Sequence, residues 1–233
     1  MMHFEHSAKL WRDFPKLVPG VLFAQGITPD ITTEAAAAVL ASTAAGRLAA
    51  GTESELPEIQ AWRRAFAAMG LKPTQYRCAS ESLLRRFRKE GALPRLHPLV
   101  NLCNAASLAF AIPVAVFDVA KIKGYLQVRH ADGDEDYLSF SGDREHPPAG
   151  EVIFADQARQ AHARRWSNRQ SAYSAVGNAT TDVLIVAEAL HGSAAADIPK
   201  LTAAIASELD AACAIKTDVA VLSASSPRFT FGP

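Results

Sequence analysis

Two asparagines stand three residues apart in an otherwise apolar stretch, Asn101 and Asn104 in "HPLVNLCNAASLAFAIPVAVFD" (97–118). An amide buried without a partner costs about 1–3 kcal/mol. Two of them in a core helix therefore need partners, either backbone groups nearby or a ligand in a pocket. Glu188 poses the same problem after Val183, Leu184, Ile185 and Val186. A carboxylate there either turns outward at a strand end or finds a buried partner.

Two further clusters carry charge and amide groups. Between Lys72 and Arg95 lie seven basic and two acidic side chains. Arg85, Arg86 and Arg88 flank Leu83, Leu84 and Phe87, as a solvated helix face or as a phosphate-contacting one does. Arg77, Ser80 and Glu81, in "QYRCASES", are polar yet hemmed by apolar helices, which suits a pocket wall. In "RRWSNRQ" (164–170), Trp166 is either core or a stacking platform for a terminal base, with Arg165 beside it for phosphate. Asn168, Arg169 and Gln170 follow on a turn that can line a pocket mouth.

Other chemistry is not written here. The seven histidines lack ligand spacing, so no metal is expected, and His3 and His6 fall in a terminus expected to fray. No Ser-His-Asp arrangement, P-loop or G-x-G-x-x-G is read, and no cofactor is expected. Formal net charge is zero, from 24 basic and 24 acidic residues, so nucleic acid must be met by a local patch and no DNA partner is expected. Three scattered cysteines without C-x-x-C fit a reducing cytoplasm. The N-terminus has no apolar h-region and no apolar run is long enough to span a bilayer, so no membrane partner is expected.

The elements that must position these residues read as α+β, a mostly antiparallel sheet with helices packed around it, in one domain over 1–233. "LVPGVLFAQGI" (17–27) reads as a strand. Thr32 or Thr33 caps an Ala-rich helix to about Ala50, Pro57 opens a second and Ser80 caps a third that stops at Gly91. From residue 113 short strand-like runs follow one another to "DVLIVAEAL". Asp197 then caps a helix to about Ala214, and "DVAVLSA" is the last strand.

The order of pieces from His97 to His191 resembles the editing module of the bacterial phenylalanyl-tRNA synthetase β subunit, the B3/B4 domain. "PLVNLCN" (98–104) matches the family's P-x-V-x-x-x-N helix and "PVAVFD" (113–118) its P-x-x-x-F-D strand. Gly124, "VR" (128–129), "DGDED" (132–136), Gly142, "VIFAD" (152–156) and "VLIVAE" (183–188) complete the series. The best-matched core is 97–191. Residues 1–96 and 192–233 look instead like the additions of free-standing B3/B4-domain proteins, whose "KPT…SESLLRR" (72–86) and, within the core, "RRWSNRQ" (164–170) stretches are both present. The resemblance implies a tRNA acceptor end as partner and a pocket in which Glu188 reads a polar group, with Asn104 facing the same cavity. It also implies hydrolysis of the ester of a mischarged tRNA, and none of the ATP-binding machinery needed to charge tRNA. It departs at Ala115, where the family usually carries a histidine. That leaves two readings: a hydrolase that works by orientation and exclusion, helped by the neighbouring ribose hydroxyl, or a module that binds a tRNA end, a free amino acid or a small metabolite without cleaving it.

Overall fold

The computed structural model describes residues 1–232. In chain order the first half runs β1 (Met2–His6), α1 (Ala8–Asp13), β2 (Val18–Gln25), α2 (Glu34–Ala50), α3 (Pro57–Ala68), α4 (Ala79–Glu90), α5 (Pro98–Phe110) and β3 (Val114–Asp118). The second half runs β4 (Tyr125–His130), β5 (Asp136–Leu138), β6 (Arg144–Glu145), β7 (Val152–Asp156), β8 (Gln160–Arg164), β9 (Arg169–Gln170), β10 (Asp182–Ala189), α6 (Ala194–Cys213), β11 (Thr217–Val221) and β12 (Arg228–Phe231). Among the described residues no helix is long and apolar enough to cross a membrane.

The strands form two sheets. One has the order β11-β2-β10-β3 and is wholly antiparallel. The other has the order β12-β1-β4-β7-β8-β5-β6 with β9 on β8, and it is antiparallel except at β1–β4 and β5–β8. The fold is α+β and mostly antiparallel, as the sequence pattern predicts.

Side-chain alternation explains the layering, because successive residues of a strand point to opposite faces. From β10, Leu184 and Val186 point into a core shared with Phe4, Leu126 and Phe154 of the larger sheet. Val183, Ile185 and Ala187 point the other way, onto Leu102 of α5 and Ile198 and Ile205 of α6. Each such aliphatic side chain contributes about 1.5–3 kcal/mol on burial. Gly20 of β2 is what lets α6 come so close. A Cβ there would lie 2.6 Å from Ile198 Cγ2 and 2.7 Å from Thr202 Cγ2.

Several helix ends differ from the sequence expectation. Thr33 does precede α2, but its hydroxyl donates to the Pro98 carbonyl at 3.0 Å and leaves the helix end uncapped. Cys78, not Ser80, flanks α4, and Ser80 is buried inside the first turn. Its end at Gly91 holds, with that residue left-handed at φ 72°. α6 begins at Ala194, ahead of Asp197, whose carboxylate instead accepts from Ser193 Oγ at 2.6 Å.

Candidate functional site

Glu188 belongs to the face of β10 that carries Leu184 and Val186, so strand parity drives its carboxylate between the sheets. It is only 3% exposed. Its partners come from two distant segments. His6 Nε2 lies 2.6 Å from Oε1, and the Trp166 indole Nε1 donates to the same oxygen at 2.9 Å. The terminus expected to fray is thus a central strand. β1 pairs β4 on one side and β12 on the other, and alternation turns Phe4 and His6 inward.

Trp166 reaches Glu188 because the chain turns sharply after β8. Arg165 and Trp166 both have positive φ, 47° and 57°, a conformation costly for residues with a Cβ. The turn is fixed by Trp166 N–H donating to the Val152 carbonyl at 2.7 Å and Arg165 N–H to Glu151 Oε1 at 3.1 Å. Trp62 and Phe14 pack edge-on against the indole, with ring centroids 4.9 and 4.8 Å away. The ring is fully buried, so it presents no face to a nucleic-acid base. The stacking role open to Trp166 in the sequence is corrected to a core and positioning role.

Beside this network is a cavity of about 60 Å³. Its walls include Phe154, Val186, Ala115, Ser167, Asn168 and Glu188, with Arg169 and Gln170 also in the lining. Glu188 Oε2 has no hydrogen-bond partner among the described residues, and neither does the buried Ser167 Oγ. The space therefore offers a carboxylate oxygen to a small polar group, beside the buried hydroxyl of Ser167 and inside largely apolar walls. His6 is not in the lining, so no imidazole overlooks the space, and Ala115 supplies none.

The turn residues are held in place from outside. Asn168 Nδ2 donates to the Arg77 carbonyl and Gln170 Nε2 to the Val116 carbonyl, each at 2.7 Å. Arg169 pairs with Glu145 at 3.0 Å and lies over the Tyr137 ring. α4 is docked on the same turn by the Ala79 N–H, which donates to Ser167 O at 2.7 Å.

The other predicted residues fall elsewhere. Asn104 does not share the Glu188 cavity, which corrects that expectation. α5 packs on the opposite face of the smaller sheet, and Asn104 lines two other clefts. Asn101 is satisfied by the loop before its helix. Its Oδ1 accepts from Leu96 N–H at 2.9 Å and its Nδ2 donates to Leu96 O at 3.1 Å. Ser80 and Glu81 are fully buried. Glu81 is gripped by Arg63, with bonds of 2.6 and 3.2 Å, and approached by Arg77 at 3.4 Å. Neither lines the Glu188 cavity, so the pocket role is corrected: Glu81 anchors α3 against α4 through Arg63, and Ser80 Oγ meets Cys78 Sγ at 3.4 Å inside the first turn. Arg85 and Arg88 converge on the buried Glu53, Arg86 pairs with Glu90 at 2.9 Å, and Arg165 stacks over Tyr76 at 4.7 Å.

Spatial neighbours also assemble groups that no sequence motif joins. Ser174 Oγ lies 2.9 Å from His162 Nδ1, and His162 Nε2 lies 3.3 Å from Asp156 Oδ2. This Ser–His–Asp line is sealed: Ser174 and His162 are fully buried and Asp156 is 2% exposed. Burial pushes the Cys78 and Cys103 thiols up to about 12, so neither is a thiolate near neutral pH. Asp132, Asp134 and Glu135 offer oxygens within 4.8 Å of one another, but Arg129 and Arg159 engage them.

Comparisons agree with the resemblance. Residues 61–208 match the B3/4 domain family. A phenylalanine–tRNA ligase beta subunit from Shewanella oneidensis is 25% identical over 115 residues, 49% of this chain and 14% of that protein. One from Cereibacter sphaeroides is 30% identical over 94 residues, 40% of this chain and 12% of that protein. The chain thus spans only a small part of the length of these curated relatives. A solved N-terminal fragment of the phenylalanyl-tRNA synthetase β-subunit from Pyrococcus horikoshii covers 93% of this chain with 50% of its own, at 10% identity and a TM-score of 0.49.

Proposed function

This chain belongs to the B3/4 domain family, and from that premise we propose that it takes the aminoacylated end of a tRNA and hydrolyses a wrongly attached amino acid from it. The observation that carries the reading is the Glu188 carboxylate, pinned by His6 and Trp166 through one oxygen and open to a small cavity through the other. A charged acceptor buried in that way selects a side chain bearing a hydroxyl or ammonium, because an analogue lacking it leaves the acceptor unpaired. Water attacks the ester carbonyl, the carbon–ribose oxygen bond breaks, and the ribose hydroxyl is restored. With Ala115 and no imidazole in the lining, rate enhancement comes from holding ester and water together in a confined space.

The missing imidazole favours a second reading, a module that binds the same end without cleaving it. A panel of mischarged tRNAs separates the two. Deacylation above the buffer rate, lost in Glu188→Gln, supports the hydrolase. Saturable binding with no deacylation of any tRNA retires it in favour of the module. For the tRNA itself, the zero net charge supports a reading in which local arginines make the phosphate contacts. Arg85→Ala with Arg86→Ala weakens tRNA binding and reduces the salt slope by about one for each phosphate no longer neutralised. Unchanged binding at low salt retires that patch.

A further inference from the structure

β3 is the free edge of the smaller sheet, and a second cleft of about 350 Å³ lies against it. This cleft shares Val114 and Gln170 with the Glu188 cavity, so the two adjoin around the strand edge. Its volume falls within the range of small-molecule sites, whereas the Glu188 cavity alone holds only a small group.

Its walls are unusual for a monomer surface. Leu96 is 57% exposed and Phe140 is 70% exposed, and both line this cleft. Phe140 is not on a loose loop. It sits in a turn closed by Gly142 N–H donating to Ser139 O at 3.1 Å and Ser139 N–H to Asp143 O at 2.9 Å. Ser139 Oγ accepts from Asp143 N–H at 3.0 Å and contacts Ser141 Oγ at 2.7 Å. A rigid turn that holds a phenyl ring in water has already met the ordering cost of binding.

Polar groups are available beside the ring. The Asn104 amide has no hydrogen-bond partner among the described residues, and the Gln170 Oε1 has none either. His97 lies in the lining too, but its Nδ1 accepts from Leu99 N–H at 3.2 Å and its Nε2 is buried, so the polar groups on offer are the two amides. One aromatic face with a few donors and acceptors in apolar surroundings is how proteins hold an unstacked base.

We propose that this edge cleft is a nucleobase platform, with Phe140 as its stacking face and Asn104 and Gln170 as its polar contacts. The proposal rests on the function proposed above: one aminoacyl-adenosine end spans both spaces, the base on Phe140 and the amino-acid side chain at Glu188. It also supplies the stacking surface that buried Trp166 cannot.

Adenosine 5′-monophosphate is the probe, titrated into the full chain and followed by NMR of the side-chain amides. The expected result is perturbation of Asn104 and Gln170, with Kd rising about tenfold in Phe140→Ala. Phe140→Trp keeps the affinity and Phe140→Leu, apolar but without a π face, loses it. The ring is mostly exposed, so these variants fold, which the unperturbed remainder of the spectrum verifies. Shifts confined to another surface, or a Kd in Phe140→Ala within twofold of the wild type, overturn the platform. If mischarged tRNA is hydrolysed with KM and kcat untouched by Phe140→Ala, the platform falls and the hydrolase stands. If no tRNA is hydrolysed but the nucleotide binds in a Phe140-dependent way, the platform stands and the hydrolase falls.

Discussion

Glu188 and Asp156 are both buried carboxylates beside a histidine, and they are used in opposite ways. Asp156 is saturated. Its Oδ1 accepts from Gln160 N–H at 2.9 Å, and its Oδ2 accepts from Lys123 N–H at 3.0 Å and meets His162. The Gln160 and His162 contacts close the β7–β8 hairpin on itself, and the Lys123 contact ties it to the segment before β4. Glu188 places both of its partners on one oxygen and leaves the other to a cavity. A carboxylate whose acceptors are all filled by its own chain is a clamp. One with an oxygen left over at a small cavity is a receptor, since a partly desolvated acceptor without a protein partner is free to take one from a ligand.

The largest effect expected from this contrast is on the clamp. Asp156→Ala removes the acceptor of two backbone N–H groups and strands His162, so unfolding free energy drops by about 3–5 kcal/mol. Urea denaturation measures it, and a loss below about 1 kcal/mol would undo the clamp assignment. The pH dependence follows. Burial raises the Asp156 pKa, but the hydrogen bonds from His162, Gln160 and Lys123 outweigh it and hold the carboxyl below its ordinary value. A depressed folded pKa contributes stability that is fully present above the unfolded value, about 3.9, and is lost as pH falls through that value toward the folded one. The stability gap between wild type and Asp156→Asn therefore narrows below about pH 4 and is constant from about pH 5 to 7. A gap independent of pH down to about 3 contradicts the assignment.

The receptor answers differently. In Glu188→Gln the amide oxygen still accepts from His6 and Trp166, so stability changes by less than about 1 kcal/mol. Discrimination between ligands with and without a hydroxyl or ammonium falls roughly ten- to a hundredfold, the loss of one charge-assisted bond of about 1.5–3 kcal/mol. Melting temperature and selectivity measured on this one variant decide the matter. A destabilised protein with unaltered preference makes Glu188 a second clamp and ends the comparison.

How much of the molecule is legible in its sequence depends on the range of the interactions. α3, α4, α5 and the strands β3, β4, β5, β7, β8 and β10 are written in local periodicity, turn glycines and prolines, and those positions hold, whereas the two-residue strands β6 and β9 are too short to read. β10 also shows why the face of Glu188 is not legible. Val183 to Ala189 is buried on both faces, so an apolar run without alternation gives no parity to read. His6 escapes a sequence reading because β1 is short and its partners, β4 and β12, are about 120 and 220 residues away. An isolated "MHFEH" has no local signal of burial beyond the single Phe4. The Ser174–His162–Asp156 line joins positions 12 and 6 residues apart across a hairpin and a 3-10 turn, a spacing that belongs to no motif. Arg77, Ser80 and Glu81 stand out in the sequence as a polar cluster among apolar helices, but sequence cannot tell an ion-paired helix contact from a pocket wall.

The smallest effects belong to the two hydroxyls, and they test the contrast most finely. Ser174 donates to His162 in the sealed network, and Ser167 lines the open cavity with its Oγ unpartnered. Ser174→Ala strips an acceptor nitrogen of its donor in a place no water reaches, which costs about 1 kcal/mol of stability and leaves ligand binding alone. Ser167→Ala removes a hydroxyl that bonds nothing in the protein. Its methyl replacement is neutral or slightly stabilising, because an unpaired buried hydroxyl is itself a cost. Its effect appears only when the cavity is filled: a ligand that takes the hydroxyl as partner binds about two- to tenfold more weakly without it, the span of an ordinary hydrogen bond. Thermal unfolding of both variants with and without ligand gives all four numbers. Should Ser167→Ala lose as much stability as Ser174→Ala in the free protein, its hydroxyl is structural, and the cavity offers its ligand Glu188 alone.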